Sequence, residues 1–293
     1  MAKRVNRAIE LLENGQPIYY VGAHTGHVLT HAQGREDAAT WADYINVGME
    51  HGSFDMGGLE RYMEGMVEGG PTPSGHRTPT VIVEAPVEGT SADVVRYNGW
   101  QFRQILARGV HGILLCQAET PEAVAAFVEG CRYPINRIGV DAGLGVGRRG
   151  VGSEPTAAAI WGVDYADYLD KADPWPLNPE GELLLGLKIE SAAALPRIEE
   201  ILAVPGIGFA EMGPGDLSIS LGYRHRPEPW PQEMQEASQR VKAACEANGV
   251  AFLQGASPEN VAEQIDSGVR VVGGHNEETA RIGRAYTNRQ MPY

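Results

Sequence analysis

An α/β protein folded as a single (β/α)8 TIM barrel is what the sequence predicts, on three grounds. Eight short β-branched or apolar runs alternate with segments of helical period, the pattern of right-handed βαβ units in a parallel sheet. The 293 residues hold one barrel of about 250 residues with room for an insertion. The alternation breaks only once, between Cys116 and Leu184.

Taken in order, the first strand is expected at Ile18–Gly22 and the second at Tyr44–Gly48, followed by a helix over Met56–Val67. Thr80–Ala85 and Gly112–Cys116 are the third and fourth strands, each followed by a helical segment, Ala92–Arg108 and Pro121–Gly130. Leu184–Glu190 and Gly208–Gly213 come next, separated by helical Ala192–Leu202. Gln232–Asn248 then leads to a strand at Val250–Gln254, and Pro258–Ser267 to the last at Val269–Gly273, with a final helix over Glu277–Thr287.

The interruption is read as an enlarged Gly- and aromatic-rich insertion at about 132–182 within one domain, 1–293. A long βα insertion at the catalytic face of a barrel commonly carries substrate contacts or a lid, so this is where a lid is expected if the barrel has one. Gly145-Val-Gly-Arg-Arg-Gly150 matches the GxGxxG dinucleotide fingerprint. It follows a polar stretch rather than a buried strand, so it reads as a flexible loop or an anion contact through Arg148 and Arg149.

A net charge of −14 excludes the basic footprint that nucleic acids require and argues against anionic membrane surfaces. Three cysteines without CxxC spacing suggest neither a disulfide framework nor a thiolate zinc site. The amphipathic N-terminus lacks a signal-peptide core, and no stretch approaches the roughly 20 apolar residues of a membrane span. A cytoplasmic protein is expected.

Two carboxylates carry the chemistry. Glu190 closes one predicted strand and Asp216 lies just past the next, so adjacent parallel strands bring both to one barrel mouth. Two hard oxygen ligands side by side suit an octahedral divalent cation, Mg2+ or Mn2+. The plainer alternative is that Glu190 caps a helix and Asp216 sits in an ordinary Gly-Pro-Gly turn. His51 follows the second strand, where an imidazole of ordinary pKa near 6.5 can serve as a general base, or simply bond a loop carbonyl. His24, His27 and His31 share a helical spacing without accompanying carboxylates, which favours a strand-end role for His24 over a zinc site. His275 either faces the pocket or starts the last helix.

Glu50-His51 after the second strand, Lys188-Ile-Glu-Ser191, Ile198–Ile207 and Gly213-Pro-Gly-Asp-Leu-Ser218 together resemble the HpcH/HpaI aldolases of the phosphoenolpyruvate/pyruvate barrel superfamily. The resemblance implies a divalent-metal-dependent carbon–carbon lyase that cleaves or forms a 4-hydroxy-2-oxo acid, with pyruvate or a related oxo acid as the enolate component. It implies Glu190 and Asp216 as ligands of Mg2+ or Mn2+, with Co2+ a further candidate, and His51 as the base. Glu50 would hold metal-bound water, and Gly213, Pro214 and Gly215 would lie against the substrate carboxylate. It also implies small oxo-acid and aldehyde partners and a homo-oligomer, a hexamer or trimer of dimers.

The chain departs from the family pattern at three places. Asp is usual three residues before the base, where Gly48 stands; Arg is usual at the end of the third strand, where the chain reads Val81-Ile-Val-Glu-Ala-Pro86; and the Asp before the Gly ending the next helix is absent in Leu106-Ala-Arg-Gly109. The residue two before Glu190 is usually Gln and here is Lys188, on the same strand face, so Lys188 is a candidate replacement for the missing cation or a structural partner of a barrel carboxylate. Arg149 is a candidate substrate contact. Two further functions fit: an acyl-CoA ester lyase or thioesterase using Arg148 and Arg149 for anions, or a catalytically weakened barrel that binds a small acid.

Overall fold

The computed structural model describes residues 2–274 and 276–293, so the expectation for His275 lies outside the described residues. Eight parallel strands close a barrel in chain order: Ile18–Ala23, Tyr44–Gly48, Thr80–Glu88, Gly112–Cys116, Gly186–Ile189, Phe209–Met212, Ala251–Gly255 and Val269–Gly273. Closure is made by the first strand pairing the last, with Ile18 opposite Val271. All eight runs expected from the sequence are strands, three of them with the expected bounds. The fifth begins later, because Leu183–Leu184 pairs instead with Pro174–Trp175 in a separate two-stranded sheet.

Strand side chains alternate between faces, and here both faces are apolar. Outward residues such as Ile45, Val47, Val83, Leu115, Leu187 and Ile189 join the large core beneath the helices. Inward residues Ile18, Tyr44, Ile82, Leu114, Phe209, Leu253 and Val271 pack with Ala8, Ile9 and Leu11 of a helix over Arg7–Glu13. That helix stops the N-terminal end of the barrel. Asn6 caps it and also donates to the backbone oxygens of His111 and Glu182, fastening it to the strands it covers. Fully buried Asp43 binds Arg7, Arg284 and Arg289, which ties the start and end of the chain to the same floor.

The insertion corrects one expectation. The helix over Pro121–Cys131 follows the fourth strand and runs antiparallel to it, so the chain has returned to the floor before residue 132 is reached. Helices over Glu154–Trp161 and Tyr165–Lys171 and the two-stranded sheet are therefore built at the closed end. No lid over the mouth can come from them. Arg132 pairs bidentately with Asp173 at 2.7 and 2.8 Å, and the Trp161 indole donates to Gly109, so the buried aromatic residues Trp161 and Tyr168 pack within the chain. Residues 145–150 are irregular and open no helix, as expected for a coincidental GxGxxG match. His24, His27 and His31 share no helix face: His24 and His27 precede the helix His31–Asp37, and the three meet Glu84, Asp37 and Glu68 respectively.

Candidate metal centre and active site

One pleat above the apolar interior, the same inward positions turn polar. Glu84 stands two residues after Ile82, Lys188 two after Gly186, Glu211 two after Phe209, and Cys116 two after Leu114. Period-two alternation thus stacks a charged layer on the core at the open end of the barrel. Loops add His24 after the first strand, Glu50 and His51 after the second, Glu190 after the fifth, and Asp216 in the helix Pro214–Ser220 after the sixth.

The two predicted ligands line the same cavity and fall in two neighbouring groups that share a third carboxylate, Glu50. Oxygens of Glu50 and Asp216 and a nitrogen of His51 lie within 4.8 Å of one another, as do ligand atoms of Glu50, Cys116 and Glu190. Glu190 is held by the Gln117 amide, which donates to its Oε1 at 2.9 Å from a residue in the left-handed region at φ 51°. A non-glycine residue there carries a modest strain, here stabilised by the charge-assisted hydrogen bond. Burial pushes the Glu190 carboxyl up to about 8, with Lys188 and the Gln117 amide opposing and Glu50 and Glu211 adding to the rise. Burial likewise raises Glu211 and holds the Cys116 thiol protonated, so its Sγ donates to Glu50 Oε2 at 3.0 Å instead of acting as a thiolate ligand.

This donor set fits a hard divalent cation. Glu50 is shared by two neighbouring groups, one with Asp216 and His51 and one with Glu190 and Cys116, and Glu190 is raised chiefly by burial and then by the charges of Glu50 and Glu211, which a bound cation would offset. Gly213 makes the approach possible: a Cβ there would overlap Glu190 Oε2 and lie 2.7 Å from the Glu190 Cβ. Gly213→Ala is expected to displace the carboxylate and weaken Mn2+ binding by about 10–100-fold, read by calorimetry.

Glu190, Asp216, Gly213, Pro214, Gly215, His51 and Lys188 all line one cavity of about 290 Å3. His24, Glu211, Pro214 and Arg226 line it too and also border an adjoining space of about 460 Å3. The helix starting at Pro214 has no side-chain cap, and its first turn opens onto this cavity.

Lys188 is present but not free. Its ammonium binds Glu84 Oε1 at 2.9 Å and Glu50 Oε2 at 3.1 Å, and its side chain is 6% exposed. Despite burial, Cys116, Glu84, Glu211 and Glu190 keep it protonated. The cation expected to replace the arginine therefore arrives with Glu84, which stands where that arginine was expected, as its counter-charge. Arg149 does not line the cavity. It is buried near the floor between the rings of Tyr133 and Tyr168, 4.6 and 5.4 Å from their centroids, and donates to the Tyr168 hydroxyl at 2.6 Å. A guanidinium so enclosed cannot meet a substrate at the mouth.

Motif spacing does not single out Glu84 or Glu211 as functional groups. Both were marked by a charge inside an otherwise apolar strand, Val-Ile-Val-Glu84-Ala and Gly-Phe-Ala-Glu211-Met, which a buried strand tolerates only with a partner. The sequence places His24 at a strand end and shows no partner for it. Its Nδ1 lies 2.6 Å from Glu84 Oε1. That hydrogen bond raises the His24 pKa against the effect of burial, while burial of Glu84 is outweighed by His24 and Lys188, which hold its carboxyl below the usual range.

The family model for HpcH/HpaI aldolase/citrate lyase matches residues 83–273. A hydroxypyruvate/pyruvate aldolase of Cupriavidus necator is 36% identical over 125 residues, 43% of this chain and 40% of the relative. A 2-keto-3-deoxy-L-rhamnonate aldolase of Salmonella schwarzengrund is 32% identical over 166 residues, 56% and 52% of the two chains. The chain thus spans about half the length of the curated relatives it matches. The crystal structure of an HpcH/HpaI aldolase/citrate lyase family protein from Burkholderia cenocepacia superimposes with a TM-score of 0.69 over 97% of each chain at 21% identity, which shows the same fold. The family match takes in Glu84, Lys188, Glu190 and Asp216, and since it extends over well more than half of the sequence, the chain belongs to the HpcH/HpaI aldolase/citrate lyase family.

Proposed function

We propose that the protein is a divalent-metal-dependent aldolase, cleaving or forming a 4-hydroxy-2-oxo acid with pyruvate or a close relative as the enolate component. The two groups that share Glu50 at the open end of the barrel, one reaching Glu190 and the other Asp216 and His51, carry this reading. The names of the aldolase relatives support an oxo acid as substrate.

Glu190, Asp216 and Glu50 would hold the cation. When bound, Mg2+ or Mn2+ supplies a Lewis acid for the 2-oxo group and for the enolate charge. The other work falls to the chain. The Gln117 amide orients Glu190, and Lys188 with the Cys116 thiol orients Glu50. At the uncapped helix start the Gly215 N–H is the group offered to the substrate carboxylate, since Pro214 has no N–H and that of Gly213 donates to the Ile189 carbonyl at 3.0 Å. His24 and His51 both open onto the cavity and present an imidazole to a substrate hydroxyl. Assembly into a homo-oligomer belongs to the same proposal. Among the described residues no helix is long and apolar enough to cross a membrane.

An acyl-CoA substrate gains no support from the mouth, because Arg148 and Arg149 lie by the C-terminal end of the Pro121–Cys131 helix, Arg148 beside Glu129. The deciding assay is pyruvate release from 4-hydroxy-2-oxo acids by protein stripped with chelator. Activity lost on stripping and restored by Mg2+ or Mn2+ is expected. Unchanged activity without metal overturns the metal-dependent reading, and metal binding without turnover identifies a small-acid-binding barrel instead.

A further inference from the structure

Resting on the aldolase reading above, we propose that the base that takes the substrate hydroxyl proton is His24, held by Glu84, and not His51. The two imidazoles stand at the same cavity, but only one is built as a base. His51 lies 3.7 Å from Glu50, beyond hydrogen-bond reach, and its side chain is 55% exposed. The position three residues before it, where a carboxylate could orient it, is Gly48. No larger residue fits there, since a Cβ at Gly48 would overlap the backbone carbonyls of Ala23 and His24. The loop that carries His24 occupies the volume an orienting side chain at position 48 would need.

That loop brings its own dyad. His24 Nδ1 is 2.6 Å from Glu84 Oε1, and Lys188 reaches the same oxygen at 2.9 Å. Nδ1 has two neighbours, Glu84 Oε1 at 2.6 Å and Lys188 Nζ at 3.3 Å; the carboxylate beside a protonated lysine is ionised, can only accept and makes much the shorter contact, so the Nδ1 proton goes to Glu84 and the ammonium donates to Glu84 and Glu50 instead. Nε2 is then the unprotonated nitrogen, on the opposite edge of a ring that is 45% exposed and lines the cavity shared with Glu190, Asp216 and Gly213. A buried carboxylate on Nδ1–H fixes the tautomer and stabilises the imidazolium formed when Nε2 is protonated. Lys188 in turn fixes Glu84, whose other oxygen has no hydrogen-bond partner among the described residues.

The step balances with water as its only other participant. His24 Nε2 takes the 4-hydroxyl proton, the O–H pair becomes the π bond of the aldehyde, and the C3–C4 bond breaks. Its electron pair forms the enolate of the oxo acid, which takes a proton from water at C3 while the imidazolium gives its own proton back to the hydroxide so formed, leaving the 2-oxo acid and the aldehyde. Lys188 and Glu84 are positioning residues, since they act through His24.

Two reactions of one enzyme separate this role from a structural one. Cleavage of 4-hydroxy-2-oxopentanoate needs a hydroxyl proton removed, whereas decarboxylation of oxaloacetate breaks C3–C4 with loss of CO2 to the same enolate and needs none. With Mn2+ present, His24→Ala is expected to lower cleavage by roughly 100-fold or more while decarboxylation stays within about threefold, and Glu84→Gln is expected to give the same split more weakly. Retained decarboxylation also shows that the variant is folded. Cleavage by His24→Ala within a few-fold of the parent, equal loss of both reactions, or the split appearing in His51→Ala instead overturns the assignment. If the parent protein performs neither reaction, the aldolase reading has failed and the inference goes with it, an outcome distinct from the other three.

Discussion

Replacing Glu190 with Gln is expected to abolish metal-dependent turnover and weaken Mn2+ binding by at least about 100-fold, while making the metal-free protein more heat-stable at alkaline pH. The two effects share one cause. Glu190 is a hard anionic ligand set close to Glu50, in a place so buried that its carboxyl is raised from 4.5 to about 8. With the folded-state value above the unfolded one, the folded protein binds more protons between those limits. The stabilisation this group gives to the metal-free fold is therefore complete below about pH 4.5 and lost as pH rises through about 8. Gln mimics the neutral acid, so variant and parent should melt alike at pH 4.5 and diverge upward. In the parent, metal competes with that proton, so Mn2+ affinity should climb toward pH 8. Melting curves from pH 4.5 to 9 with and without Mn2+ measure both, and equal Mn2+ affinity in the two proteins would remove Glu190 from the ligand set.

Lys188→Met is expected to cost about 3–5 kcal/mol, or on the order of 10 °C in melting temperature, together with most of the turnover. Methionine fills the space, but Glu84 and Glu50 then lose the ammonium at 2.9 and 3.1 Å that neutralises them in a nearly water-free layer. Lys188 and His24 are what hold Glu84 below the usual carboxylate range. Without the lysine that carboxyl must rise, so the deficit should shrink as pH falls and the carboxylates protonate. A melting difference that grows toward acid pH, or turnover equal to the parent's, would contradict the role assigned to this ammonium.

The barrel was legible because its signal is local. Eight apolar runs of strand length alternate with amphipathic segments, and burial on both faces of a parallel strand writes that pattern directly into adjacent residues. Glu190 and Asp216 were legible for a related reason: chain direction and one αβ unit of spacing suffice to bring neighbouring strand ends to one mouth. The place of the insertion is not written in its position between strands, because the helix over Pro121–Cys131 carries the chain back to the closed end before residue 132. The burial of Arg149 is hidden for the same reason, since a cation in a Gly-rich stretch has the local pattern of a solvent-facing residue and only the fold encloses it between Tyr133 and Tyr168.

By itself, the sequence determined the fold, the family resemblance and the two strand-end carboxylates, all of which follow from periodicity or from neighbours one unit apart. Tertiary structure decided the rest. Only closure of the barrel sets His24 of the first strand's loop against Glu84 of the third strand and Lys188 of the fifth, residues 60 and 164 positions away along the chain from His24. It also decided that Lys188 is paired and that Glu50 joins Glu190 to Asp216. The physical reason is that a buried charge takes its meaning from the partner that neutralises it, and in a closed barrel that partner stands across the interior, where no sequence spacing records it.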